Sequence, residues 1–273
     1  MNYTLLPVIF CYLAASGGYA GFLFLQRRIY NRGAYALVLA GFLIHSVLLG
    51  IDYADKGSLP VHNLHQNLWF AGWVLAGVFL ALRPRIRLNI LGVFAAPLIT
   101  LITAAAFFVP DTPMQTQSEL SGVWLTVHVL VIFIGEACLA LACGTGILYL
   151  IQERNIKDKK HRFFFRRLPS LELLDSTGYT FVAVGFTALT AGLITGFIYA
   201  HQVWGHFWTW DPKEVWSGVT WLIYAALLHE RIVAGWRGRR AAILAIIGFC
   251  AMLFTFLGVN FLLEGHHNEF TRW

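Results

Sequence analysis

Charge is scarce in this 273-residue chain: Asp, Glu, Lys and Arg make up 12% of it, against 58% hydrophobic residues. An average soluble domain carries about twice that share of charge. The deficit, with a mean hydropathy of +0.64, points to a polytopic membrane protein and away from a soluble one. Cysteine is scarce too. Cys11, Cys138, Cys143 and Cys250 all stand inside apolar segments, and no CxxC, CxxCH or zinc-ligand spacing occurs. That pattern argues against a disulfide framework or a thiolate metal centre and leaves the thiols as small apolar packing groups. The first apolar segment lacks the basic leader and small-residue cleavage site of a signal peptide, so it is expected to be retained. Internal repeats and low-complexity tracts are missing as well, and the length suits a single membrane domain over 1–273.

Long apolar runs are what the chain has in abundance. Eight stretches suit bilayer-spanning helices, at about 4–26, 34–53, 66–82, 88–109, 122–151, 178–200, 216–234 and 241–263. Helices are expected because backbone groups in lipid must be satisfied within their own segment. The fold class is therefore an all-α polytopic membrane protein. Seventeen of the twenty Lys and Arg fall in alternate connections, with only Lys56, Lys213 and Arg272 on the other side. The net charge of +6 is thus a topology signal, not a nucleic-acid surface. The positive-inside rule puts both termini outside the cytoplasm, in a multi-pass protein of the cell inner (cytoplasmic) membrane. The largest cytoplasmic loop, about 152–177, includes Leu168 to Leu174, a segment suited to a short surface helix after Pro169. Gly192 and Gly196 form a small-xxx-small pair that favours close helix packing in the sixth span.

Between the sixth and seventh spans the loop at about 201–216 contains Trp204, Trp208, Trp210 and Trp216, threaded with Asp211, Lys213 and Glu214. Indole faces suit stacking on a planar ligand, and interleaved charges suit orienting its polar substituents. An aromatic belt at the membrane surface is the plainer reading, but belts are diffuse and need no Asp, Lys and Glu among the rings. The topology turns this loop outward.

Histidine depth supplies the second clue. His45 lies about eleven residues into the second span and His229 about thirteen into the seventh, so both reach the middle region of the membrane. Polar side chains there suggest function, although a His bonded to a neighbouring helix is the bland alternative. His128 starts the fifth span near its outer end, and His266 and His267 follow the eighth. Paired neutral imidazoles suit axial ligation of haem iron, and tryptophan faces suit a porphyrin plane. His62, His65, His201 and His206 are also external and are weaker ligand candidates, while His161 sits in a basic run. Glu136, inside the fifth span, needs a polar partner or a proton.

The run Trp204, Gly205, Trp208, Trp210, Asp211, Pro212, Lys213, Glu214, Trp216 resembles the WWD signature of the cytochrome c assembly family of haem-handling membrane proteins. It continues as TWLIYAALLHER and GWRGRR, and the last span ends LGVNFLLEGHH, a pattern similar to the CcsA/ResC branch of the System II cytochrome c synthase. The likeness is strong over about residues 120–273; the earlier spans share only hydropathy and the placement of His45.

The resemblance implies that His45 and His229 are in-membrane ligands of haem b, and that His128 and His267 hold haem by its iron beneath the loop, with His267 favoured over His266. It implies that Trp204, Trp208, Trp210 and Trp216 stack on the macrocycle, and that Asp211 belongs to the haem-binding loop. Asp211, Lys213 and Glu214 either fix the loop or meet propionates. The implied role is the haem-handling subunit of a cytochrome c synthase (haem lyase) complex. It would present reduced haem to an apocytochrome c bearing CxxCH, whose two thiols form thioethers with the vinyl groups. No assignment of a catalytic residue follows. A large external domain is lacking, so a CcsB/ResB-type membrane partner is implied. Two other readings stay open: a HemX-like regulator of tetrapyrrole synthesis, and a transporter without haem chemistry.

Overall fold

Capping side chains in the sequence mark three of the helix starts in the computed structural model, which describes residues 3–57, 59–86, 88–111, 123–158 and 167–259. Eight α-helices are present among them: α1 Leu6–Leu25, α2 Arg28–Lys56, α3 Leu64–Leu82, α4 Gly92–Phe108, α5 Val123–Lys157, α6 Leu171–Trp204, α7 Pro212–Val233 and α8 Arg239–Leu253. Asn63 caps α3 by accepting the Gln66 amide, and Ser170 caps α6 by accepting that of Leu173. Gly57 and Gly205 close α2 and α6 in the left-handed conformation that glycine adopts without a Cβ penalty.

Seven of these helices are long and apolar enough to cross a membrane, and no strand occurs among the described residues, so the chain is an all-α multi-pass membrane protein. The helix outside that set is α7. At 22 residues it spans about 33 Å, but it carries Lys213, Glu214, His229, Glu230 and Arg231 at its two ends. The expected surface helix at Leu168–Leu174 does not form. Ser170 instead caps a continuous helix from Leu171, because nothing between there and Gly178 breaks the helical run. The loop expected at 201–216 also contracts: α6 runs to Trp204 and α7 starts at Pro212, leaving seven residues between them.

The helices pack as two compact units, α1–α4 and α5–α8. In the first, α1 packs on α2 and α4, and α3 packs on α4 and α2 around Tyr12, Tyr19, Phe79 and Ile99, all fully buried. In the second, α5 packs along α6 and α8, and α7 packs on α8 and α6 around Leu139, Leu141, Phe181 and Tyr224. A five-residue π-helical turn, Phe254–Gly258, continues α8. Turns of this kind admit one extra residue into a helix and are frequent at functional sites.

Candidate haem-binding loop and histidines

The tryptophan-rich loop is built on the first turn of α7. Asp211 is the N-cap, only 4% exposed, and its Oδ1 accepts the Lys213 amide at 2.8 Å. Glu214 completes a capping box. Its carboxylate accepts the Asp211 amide at 3.3 Å, the Thr209 amide at 2.8 Å and the Thr209 hydroxyl at 3.1 Å. Asp211 and Glu214 thus fix the loop.

Trp210 lies between those clamped amides. Its φ is +60°, a left-handed backbone that costs a side-chain-bearing residue about 1–2 kcal/mol, and its indole is 77% exposed. Trp208 stands perpendicular to it, ring centres 5.7 Å apart, and packs edge-on against Phe197 of α6 at 5.9 Å. The Trp208 indole nitrogen is buried without a partner, a donor available to a ligand's polar edge. Trp216 packs on Phe254 of the π turn at 4.4 Å, and Thr220 meets Thr255 one turn further on. Trp204 is the last residue of α6; its side chain lies outside the described part of the structure.

Lys213 lies within electrostatic reach of Glu136 on α5 and of Asp211. Desolvation pushes its ammonium below the usual lysine range, and the two carboxylates oppose that shift. Glu136 therefore has the polar partner that its position demanded.

His128, on α5, is held against α6. Its Nδ1 lies 2.8 Å from the Gly192 carbonyl oxygen, which only accepts, so Nδ1 carries the proton and Nε2 is the basic nitrogen. A metal-binding imidazole is commonly oriented by such a bond. Gly196 makes the approach possible: a Cβ there would lie 2.8 Å from His128 Cε1 and 3.0 Å from Nδ1. At Gly192 a Cβ would collide with Ile132. The small-residue pair of α6 therefore has a specific task in seating the histidine. Residues 192–197 carry both His128 and, through Phe197, Trp208.

His229, on α7, is exposed. Two residues on, Arg231 pairs with Asp175 of α6 through both guanidinium ends, at 2.7 and 3.1 Å, and Asp175 also accepts the Gly238 amide at 2.7 Å. This latch ties the His229 end of α7 to α6.

His45 belongs to the first unit and is fully buried. Trp69 of α3 lies with its ring centre 3.7 Å away, tilted by 37°, and Tyr12 of α1 brings its hydroxyl to 3.4 Å from Nδ1. Nε2 is buried without a partner. One engaged nitrogen and one orphaned nitrogen fit an axial ligand. His65 does not fit that role: its Nδ1 donates to the Ala106 and Val109 carbonyls at 2.7 and 3.0 Å, closing the end of α4. His201 stacks on Phe207, ring centres 4.2 Å apart. His161, His266 and His267 lie outside the described residues.

Two roles emerge only from the folded chain, Gly196 as the floor of His128 and Asp175 as the anchor of α7, and the fold decides a third, Glu214, in favour of the loop clamp. The capping signature Asp-Pro-Lys-Glu is the sequence signal for the Glu214 clamp.

Residues 61–267 match the family model described as Cytochrome C assembly protein. The chain is 33% identical over 260 residues to the cytochrome c biogenesis protein CcsA of Mesostigma viride, covering 86% of this chain and 85% of that protein. It is 32% identical over 277 residues to CcsA of Pyropia yezoensis, covering 87% of each. It is 31% identical over 309 residues to CcsA of Synechococcus sp. (strain JA-2-3B'a(2-13)), covering 92% and 88%. Among solved structures, Cytochrome c Heme Lyase CcmF has a similar fold, with a TM-score of 0.66 at 18% identity over 98% of this chain. The match spans 48% of that lyase.

Proposed function

The chain belongs to the cytochrome c assembly protein family, and from that premise we propose that its tryptophan-rich loop and histidines receive haem b and present it to an apocytochrome c. It is a haem-handling membrane component of cytochrome c biogenesis. The relatives found are cytochrome c biogenesis proteins, which favours neither a HemX-like regulator of tetrapyrrole synthesis nor a transporter without haem chemistry.

The observation that carries the proposal is the pairing of a clamped, outward-turned indole with an oriented imidazole in one unit. Trp210 is exposed on a backbone that Glu214 holds, and His128 keeps Nε2 as its basic nitrogen by donating from Nδ1. Trp208 and Trp210 supply perpendicular faces for a macrocycle and its edge. His128 supplies one axial nitrogen, and His267 is our candidate for the other. His45 is our candidate in-membrane haem ligand in the first unit, supported by its orphaned Nε2, and His229 is our candidate in the second. Trp204 and Trp216 would line the site, and Asp211 would act through the helix cap.

Haem, as substrate, brings the vinyl groups to which cysteine thiols add, sulfur to one carbon and proton to the other. This chain's part is to bind, orient and shield. We place the loop on the extracytoplasmic side of the inner membrane, with a CcsB/ResB-type partner completing the site. The chain is one membrane domain in this reading, built from its two helical units.

The test is coexpression of the full chain with such a partner and an apocytochrome carrying CxxCH. Haem copurifying with a six-coordinate spectrum, and covalent cytochrome lost in His128→Ala and His267→Ala, are the expected results. Full maturation in both variants would refute the site.

A further inference from the structure

The strongest unexplained group lies in the first unit, at the end where α1 gives way to α2 and α3 to α4. Arg83, the residue that closes α3, folds back over the Tyr35 ring at 4.1 Å and toward the Tyr19 ring at 5.9 Å. Its Nη2 donates to Asn31 Oδ1 at 2.7 Å. Its Nε is buried and has no partner. Beside it the hydroxyl of Tyr19, a residue with no exposed surface, is also without a partner. Two buried donors in one cluster, one of them on a cation, are costly unless an acceptor reaches them.

Among the described residues, the unit has no anion to offer there. No Asp or Glu occurs from Leu6 to Ile51 or from Leu64 to Pro110. No described carboxylate pairs with Arg83. The same end carries Arg27, Arg28, Arg32 and Arg85, all exposed, and the first turn of α2 has no side-chain cap. The positive end of the helix dipole adds to the field of these arginines.

We propose that Arg83, Tyr19 and Asn31 form a binding site for one oxyanion borne by an amphiphile, either the phosphate of a lipid headgroup or the carboxylate of a haem propionate. Arg83 Nε–H and the Tyr19 hydroxyl donate to it, Asn31 and Tyr35 hold the guanidinium in place, and the surrounding arginines draw the anion in. The site is separate from His45. Asn31 and His45 lie fourteen residues apart on α2, about 21 Å of helix, so one haem does not reach from the iron ligand to Arg83. The site stands on this unit alone and is independent of the haem-binding role proposed for the loop and His128.

The experiment uses the full chain in neutral detergent, as wild type, Arg83→Gln and Tyr19→Phe. Thermal unfolding is followed with added phosphatidylglycerol or phosphatidylcholine, and binding of haem is compared with that of its dimethyl ester, in which both propionates are masked. If the source is lipid, phosphatidylglycerol raises the wild-type midpoint by several degrees over phosphatidylcholine, the difference disappears in Arg83→Gln and it shrinks in Tyr19→Phe. If the source is haem, the free acid binds the wild type roughly tenfold tighter than the ester, and Arg83→Gln binds both alike. Should Arg83→Gln fail to accumulate, Tyr19→Phe carries the same comparisons, since it removes one hydroxyl and keeps the ring. Identical responses of wild type and variants to all four probes would overturn the proposal. Loss of haem binding in His128→Ala would leave the lipid arm intact.

Discussion

Glu214 holds the backbone on both sides of Trp210: its carboxylate accepts the amides of Thr209 and Asp211, and the residue between them is left in the left-handed conformation with its indole outward. The strain at Trp210 and the exposure of its ring are thus two results of one clamp. A loop secured by a helix cap presents its aromatic faces without a large ordering cost when a ligand arrives.

Asp211 holds the loop as a hydrogen-bonding helix cap, its Oδ1 accepting the Lys213 amide, while its charge faces the Lys213 ammonium. Asn caps helices about as well as Asp, whereas Ala forfeits about 1 kcal/mol. Asp211→Asn should therefore retain most cytochrome c maturation and haem occupancy, and Asp211→Ala should lose much of both. If Asn is as damaging as Ala, the carboxylate meets the ligand or a proton directly, and the cap is incidental.

Trp210 separates fold from binding. Trp210→Gly removes the left-handed penalty of about 1 kcal/mol and deletes a ring that is already mostly in the open. The variant should unfold at the wild-type temperature or slightly above it, yet retain less haem on purification. A variant with unchanged haem content would take Trp210 out of the site.

The eight-helix rhythm and the tryptophan-rich loop were legible in the sequence because apolar runs and clustered tryptophans are local signals. The partition into two units was not, since it depends on which helix faces meet. The surface helix suggested by Leu168–Leu174 gave way to a longer α6, where a Ser170 cap and an unbroken helical run won over the charge of the loop. Gly192 and Gly196 announced close packing, but only the partner helix reveals that a histidine, not merely another backbone, occupies the space. The reach of Glu214 back to Thr209 was ambiguous in sequence because a carboxylate beside indoles suits a cap and a propionate equally.

Gly196→Ala tests the packing of His128 on α6. A methyl group 2.8 Å from His128 Cε1 must displace the imidazole or spread α5 from α6, at a cost of about 1–3 kcal/mol. The bond from Nδ1 to Gly192 would lengthen, and with it the orientation of Nε2 would be lost. We expect lower haem occupancy and an altered visible spectrum in the purified variant. Gly185→Ala is the control, because its Cβ would meet Leu139 and not a histidine, and it should leave the spectrum of any bound haem unchanged.

The latch between Asp175 and Arg231 sets the position of His229, two residues earlier on α7. Both side chains are largely buried, 14% and 12% exposed, so removing one leaves its partner without compensation. Asp175→Ala should cost about 3 kcal/mol and lower the unfolding temperature by several degrees, because Arg231 and the Gly238 amide lose their acceptor together. Replacing both charges, in Asp175→Leu with Arg231→Met, should be milder than the single change, since no unpaired ion remains and Tyr179, now beneath the guanidinium, can pack on the methionine. If the latch also fixes His229, the double variant should regain stability but not the wild-type haem spectrum. Recovery of both would mean that α7 is positioned by its apolar contacts with α8 and that the ion pair only closes the end of the bundle.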